Sequence, residues 1–127
     1  MSNSKVILTN GAPQPIGPYS QAIMNNNTLY VSGQIAIIPQ TGEINLSSIE
    51  NETRQVMENI KAIIETAGLT MSHIVKTSIF LTNMGNFSKV NEVYGTYFKE
   101  SPPARETIQV SALPKNVNIE ISVIAIK

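Results

Sequence analysis

Two charged residues near the end of the chain could bind a small anion and activate water. Arg105 and Glu120 lie in short runs of alternating polar and apolar residues. An arginine presents a planar fork of donors that matches a carboxylate with two parallel hydrogen bonds. A glutamate can orient or deprotonate a water molecule. The pair therefore suits a small substrate that carries a carboxylate.

The spacing of these residues predicts where they lie in a sheet. Period-two alternation places Arg105, Thr107 and Gln109 on one side of a strand, and Glu120 on the polar side of the next strand. If these two strands form a hairpin, Glu120 comes within reach of Arg105 on the sheet face away from the helices. The same spacing allows a purely structural ion pair between Arg105 and Glu120, so both interpretations stay open.

The elements that must position these residues follow the order β-β-(β)-α-β-α-β-β, where the parentheses mark a strand that the pattern leaves open. Turn residues and alternation predict a hairpin over 20–33, and apolar periodicity predicts a helix from a capping box at Ser47 to Gly68. Further strands are predicted over 73–82, 106–112 and 117–126, with a second helix between Phe87 and Pro102. We expect an α+β two-layer sandwich, a mixed sheet with two helices on one face, in a single domain spanning 1–127.

Composition narrows the classes of function. With no cysteine and a single histidine, the chain has no thiolate nucleophile and no histidine cluster for a transition metal. Nine basic and nine acidic residues, all of the latter Glu, leave no cationic excess for nucleic acid. No segment reaches the ~18 apolar residues of a membrane span, and the first residues lack a signal-peptide pattern. We expect a cytoplasmic protein without nucleic-acid or membrane partners.

The low charge content predicts self-association. Charged residues make up 14% of the chain and hydrophobic residues 42%, whereas soluble domains carry ~25% charged residues. A free monomer would therefore lack solubilising charge. We expect much of the surface to be buried against other copies of the chain.

Several segments together resemble the signatures of the Rid (YjgF-type) family. They are IGPYSQA at 16–22, VSGQI at 31–35, PARET at 103–107, ALPK at 112–115 and IEI at 119–121. Weaker matches at 59–63, 75–77 and 90–94 extend the resemblance over practically the whole chain.

This resemblance implies a chorismate-mutase-like fold and a homotrimer with a central barrel and active sites between subunits. It also implies roles for individual residues, with Arg105 binding the substrate carboxylate and Glu120 handling the attacking water. The implied substrate-binding residues are Tyr19, Gly33, Asn91, Arg105 and Thr107. Tyr19 and Asn91 would come from different subunits from part of the site they serve, although packing alone could also explain Tyr19.

The activity implied by the resemblance is hydrolysis of 2-iminobutanoate and 2-iminopropanoate to 2-keto acids and ammonia, with no cofactor and no metal. The alternative is a regulatory or interaction protein that senses small carboxylates without turnover. Glu106 departs from the family, in which this position is often Ser. If Glu106 turned toward Arg105, it would compete with the substrate carboxylate.

Overall fold

The computed structural model describes residues 3–127, which form six strands and two helices. The strands are β1 (Ser4–Ile7), β2 (Ala22–Asn25), β3 (Thr28–Gln34), β4 (Ile74–Leu81), β5 (Ala104–Gln109) and β6 (Ile119–Ile126), and the helices are α1 (Ile49–Thr66) and α2 (Phe87–Gly95). Within these residues, no helix is both long and apolar enough to cross a membrane.

All six strands belong to one sheet, in the order β1-β2-β3-β6-β4-β5. The β4–β5 pair is parallel and the other neighbours are antiparallel. Helices α1 and α2 bury their apolar sides in the same core as the inward residues of the sheet. The predicted α+β class, with a mixed sheet and two helices, is confirmed.

The local signals explain where α1 begins and ends. The Ser48 hydroxyl accepts a hydrogen bond from the Asn51 N–H, so Ser48 caps the helix, and the prediction of a capping box at Ser47 is wrong. Gly68 follows the helix with φ of +84°, a conformation that glycine adopts without steric cost. The hairpin is also confirmed, with Asn26 supplying the positive φ of its turn.

Alternation along β6 separates the two faces of the sheet. Ile119, Ile121 and Val123 are buried beneath the helices, whereas Glu120 points to the opposite face. This part of the prediction is confirmed.

Three predicted features of the fold are wrong. The open strand precedes the hairpin as β1 and does not follow it, and α2 ends at Gly95, well before Pro102. The hairpin between the last two strands does not form, because β4 lies between β5 and β6. As a result, β5 is an edge strand, and its residues face the side set by their register with β4.

A buried carboxylate of α1 holds the start of β6. Glu52 is fully buried, and its two oxygens accept hydrogen bonds from the backbone N–H and the side-chain amide of Asn118, both at 2.8 Å. Asn118 also accepts a hydrogen bond from the Thr82 N–H, after the end of β4. Glu52 thus ties the first turn of α1 to the centre of the sheet.

We expect Glu52→Ala to lower the free energy of unfolding by about 2–4 kcal/mol, because it leaves two donors of Asn118 without their charged acceptor. Urea unfolding followed by circular dichroism at one fixed protein concentration measures the change. Glu65→Ala removes an exposed carboxylate from the same helix and should change stability by less than about 0.5 kcal/mol. Equal stabilities of the two variants would contradict this role of Glu52.

Candidate active site

Arg105 lies on the face of the sheet that the helices cover. It pairs in register with buried Thr77 of β4, and its guanidinium reaches α2. Nη1 donates to Asn91 Oδ1 at 2.8 Å, and Cζ lies 5.0 Å from the centroid of the Tyr94 ring and 5.5 Å from that of Phe87. Contacts of this kind stabilise a cation without neutralising it. Among residues 3–127, Arg105 has no carboxylate partner.

Two polar groups complete the surroundings of Arg105. Thr107 lies two residues along β5 on the same face, and its hydroxyl is buried with no hydrogen-bond partner in the described part of the chain. The Tyr94 hydroxyl is 2.7 Å from the Thr77 hydroxyl, which fixes the ring beneath the guanidinium. Burial raises the pKa of Tyr94, against the opposing effects of Thr77 and Arg105, so the phenol is neutral near pH 7. We call Arg105, Asn91 and Thr107 the arginine cluster.

Glu106 does not compete for Arg105. It points to the opposite face of β5, where its carboxylate accepts a hydrogen bond from the Ser78 hydroxyl and pairs with Lys76 Nζ at 2.9 Å. The Ser78 hydrogen bond and then Lys76 hold the pKa of Glu106 below its usual value. The departure from the family pattern therefore leaves the guanidinium free.

Glu120 lies on the face away from the helices and folds over Gly33. An added Cβ at Gly33 would lie only 2.7 Å from Glu120 Cδ and 3.0 Å from Cγ, so only glycine leaves room for this carboxylate. Gly33 belongs to a β-bulge, where the register between β3 and β6 shifts between Val31 and Gln34. Burial raises the pKa of the Glu120 carboxyl.

Tyr19 borders the same cleft as Glu120. Its hydroxyl accepts a hydrogen bond from the Ile16 N–H at 3.2 Å, and its N–H donates to the Gly17 carbonyl at 2.9 Å. The ring stays 46% exposed, so core packing does not account for it. Tyr19, Ser32, Gly33 and Glu120 line a cleft of about 240 Å³. We call Tyr19, Gly33 and Glu120 the glutamate cluster.

The prediction that Arg105 and Glu120 share one sheet face is wrong. Arg105 and Thr107 align with Thr77 and Ile79, which are buried on the helix side, while Glu120 aligns with Phe80 on the other side. The alternative ion pair between Arg105 and Glu120 is absent as well among the described contacts. One copy of the chain therefore carries two clusters on opposite faces of the sheet.

The sequence reading missed the aromatic support of Arg105. Tyr94 was interpreted as core packing, and Phe87 was assigned only to the helix. The signal was present in their spacing, because Phe87, Asn91 and Tyr94 follow one another at intervals of four and three residues and so occupy one side of α2.

The fold and the two clusters define a class of protein, a small α+β protein with an unpaired arginine and a desolvated glutamate at separate positions. No group of three or more potential metal ligands occurs within residues 3–127. Comparison with known proteins narrows this class. Residues 9–127 match the family model described as endoribonuclease L-PSP.

Relatives align over nearly the full chain. A RutC family protein of Pyrococcus horikoshii is 54% identical, with 97% of this chain and 98% of the relative covered. A protein of Mus musculus named 2-iminobutanoate/2-iminopropanoate deaminase is 42% identical over 97% of this chain and 91% of its own length. A crystal structure of E. coli TdcF with bound serine superposes with a TM-score of 0.94 at 40% identity, covering 97% of this chain and 98% of that one. The chain belongs to the L-PSP family, also called the YjgF or Rid family.

Replacement of Gly33 tests the seat of Glu120. The φ angle of Gly33 is not positive, so we expect Gly33→Ala to fold and to displace only the Glu120 side chain. Carboxyl ¹³C NMR of labelled glutamates, assigned through Glu120→Gln, should show a shifted Glu120 resonance and a changed titration midpoint. Gly95→Ala, where an added Cβ meets nothing within 4 Å, is the matched control and should leave the resonance in place. An unmoved Glu120 signal in Gly33→Ala would refute this packing.

Proposed function

We propose that the protein is a hydrolase that deaminates reactive 2-imino acids, such as 2-iminobutanoate and 2-iminopropanoate, to 2-keto acids and ammonia. Relatives with that name support the activity. The observation that carries the proposal is chemical, because an arginine without a carboxylate partner and a glutamate in a cleft are the two groups that this reaction needs.

The proposal requires more than one copy of the chain. The two clusters lie on opposite faces of one sheet, so a substrate smaller than an amino acid residue cannot touch both in a single copy. We infer that the site forms between neighbouring copies in a homotrimer with a central barrel. The arginine cluster, including Asn91 and Thr107, then comes from one copy, and Tyr19, Gly33 and Glu120 come from the next.

An uncovered apolar stripe supports this assembly. Val6, Ile23, Tyr30 and Ile124 pair in register across β1, β2, β3 and β6 on the face away from the helices. Val6 is 60% exposed and Tyr30 is 50% exposed. An apolar face of this kind on a chain with few charges is typical of a surface that another copy covers.

The reaction proceeds by addition of water to the C=N carbon. Arg105 holds the substrate carboxylate, with the unpartnered Thr107 hydroxyl beside it. Glu120 takes a proton from water while the water oxygen bonds to the imine carbon and the nitrogen acquires a proton, which gives a carbinolamine. The carbon–nitrogen bond then breaks as Glu120 returns a proton to the nitrogen and the hydroxyl loses its own, so ammonia leaves and the 2-keto acid remains. Positioned proton transfer of this kind contributes ~10²–10⁴ in rate.

The Glu120 environment suits both steps. The raised pKa of the carboxyl brings its protonation equilibrium closer to neutral pH, so the group can accept a proton and return it. We propose that no cofactor or metal takes part, that nucleic acid and membranes are not partners, and that the protein works in the cytoplasm. A sensor of small carboxylates would use the arginine cluster alone and would not need the glutamate in its cleft.

Replacement of Arg105 tests the proposed function most simply. Arg105→Lys keeps the charge but loses the two-pronged donor geometry, and we expect kcat/KM for 2-iminopropanoate to fall by about one to two decades. Arg105→Ala should lose more activity and should also lose binding of unreactive 2-keto acids. Imine hydrolysis is measured with an amino acid oxidase as the imine source and semicarbazide as the competing trap.

Arg54→Lys is the matched control, because Arg54 lies exposed on α1 and is the other arginine of the chain. It should retain parental activity. Parental activity per folded protein in Arg105→Ala would rule out the proposed mechanism, whereas carboxylate binding without any turnover in the parent protein would support the sensor.

A further inference from the structure

A second, narrower pocket opens directly from the cleft of Glu120. Tyr19 and Gly33 line both cavities, and the narrow pocket continues between Ile16, Ile35 and Ile37. Its volume is about 40 Å³, against about 240 Å³ for the cleft. We call it the inner pocket. Its position places an apolar recess next to the carboxylate that would activate water.

The walls of the inner pocket are held by two buried amides. Gln21 is 1% exposed, and its Nε2 bonds to the carbonyls of Thr9, Ala12 and Pro13, which fixes the segment before Ile16. Asn59 of α1 is also 1% exposed. Its Nδ2 donates to the carbonyls of Ile35 and Ile37 at 3.2 Å and 2.9 Å. Buried amides with these bonds give the pocket a fixed shape.

The far end of the inner pocket is a constriction. Ile16 and Ile37 line both the inner pocket and an outer cavity of about 290 Å³ that extends to Pro39, Gly42 and Lys115. The two isoleucine side chains therefore stand between a small space and a much larger one. Removing either side chain would join the two cavities.

We propose that the inner pocket receives the substrate side chain, and that Ile16 and Ile37 set its maximum length. This inference rests on the proposed function. A cavity of ~10–15 Å³ holds one water molecule, so the inner pocket holds about three groups of that size, enough for a short unbranched aliphatic chain. The preferred substrates are 2-imino acids with short aliphatic side chains, and long or aromatic side chains are excluded by the two isoleucines.

The test compares imines of increasing length. D-Alanine, D-2-aminobutyrate, D-norleucine and D-phenylalanine, each oxidised by a D-amino acid oxidase, supply imines that differ only in the side chain. The parent protein should favour the first two imines. In Ile16→Ala and Ile37→Ala, the ratio of kcat/KM for the norleucine imine to that for the alanine imine should rise about tenfold, the discrimination that one or two methylene groups provide in an apolar pocket.

Leu46→Ala is the matched control, because Leu46 is an exposed aliphatic residue that lines none of the three cavities. Its ratio should equal that of the parent. Ile16 is 52% exposed, so its truncation costs little folding energy and keeps the test valid if Ile37→Ala is unstable.

The outcomes separate the two proposals. A parent protein that hydrolyses the alanine imine but shows the same norleucine ratio as both isoleucine variants overturns the inner pocket as the side-chain site and leaves the proposed function standing. A parent protein that hydrolyses none of the four imines overturns the proposed function and this inference with it.

Discussion

The parallel register of β5 on β4 is the constraint on which the rest of the structure depends. It aligns Arg105 with Thr77 and so turns the guanidinium toward α2, while the antiparallel register of β6 turns Glu120 to the other face. Charges on one face at adjacent strands would attract each other and form an ion pair. The opposite orientation prevents that pairing within one copy and leaves both groups available to a ligand.

Each cluster keeps its charged group usable in a different way. Arg105 rests on Tyr94 and Phe87 and bonds to the neutral amide of Asn91, so it is oriented without being neutralised. Glu120 depends on the missing side chain of Gly33 and on partial burial, which disfavours its charged form. An arginine that needs an anion and a glutamate that can exchange a proton are complementary once two copies of the sheet meet.

The sequence was sufficient where one pattern decides the structure, and insufficient where two elements must agree. Alternation of Ile119, Glu120 and Ile121 gave the faces of β6 because a central strand has one buried side. The same rule showed that Arg105 and Thr107 share a side of β5, but not which side, since both sides of this edge strand carry polar residues and its partner could not be known. The family resemblance named the residues of both clusters, whereas the register of β4 with β5 explains why they are separated. Glu106 likewise needed the positions of Lys76 and Ser78 on the neighbouring strand.

Subunit mixing tests most directly whether two copies build one site. Arg105→Ala and Glu120→Gln chains, each inactive alone, are co-expressed with different tags, and assemblies that carry both tags are purified. If Arg105 of one copy works with Glu120 of the next, random mixing should restore about a quarter of the sites, because one interface in four then carries both native residues. Mixed assemblies should therefore show imine hydrolysis at about a quarter of the parental rate. Activity no higher than that of either variant alone would contradict the account.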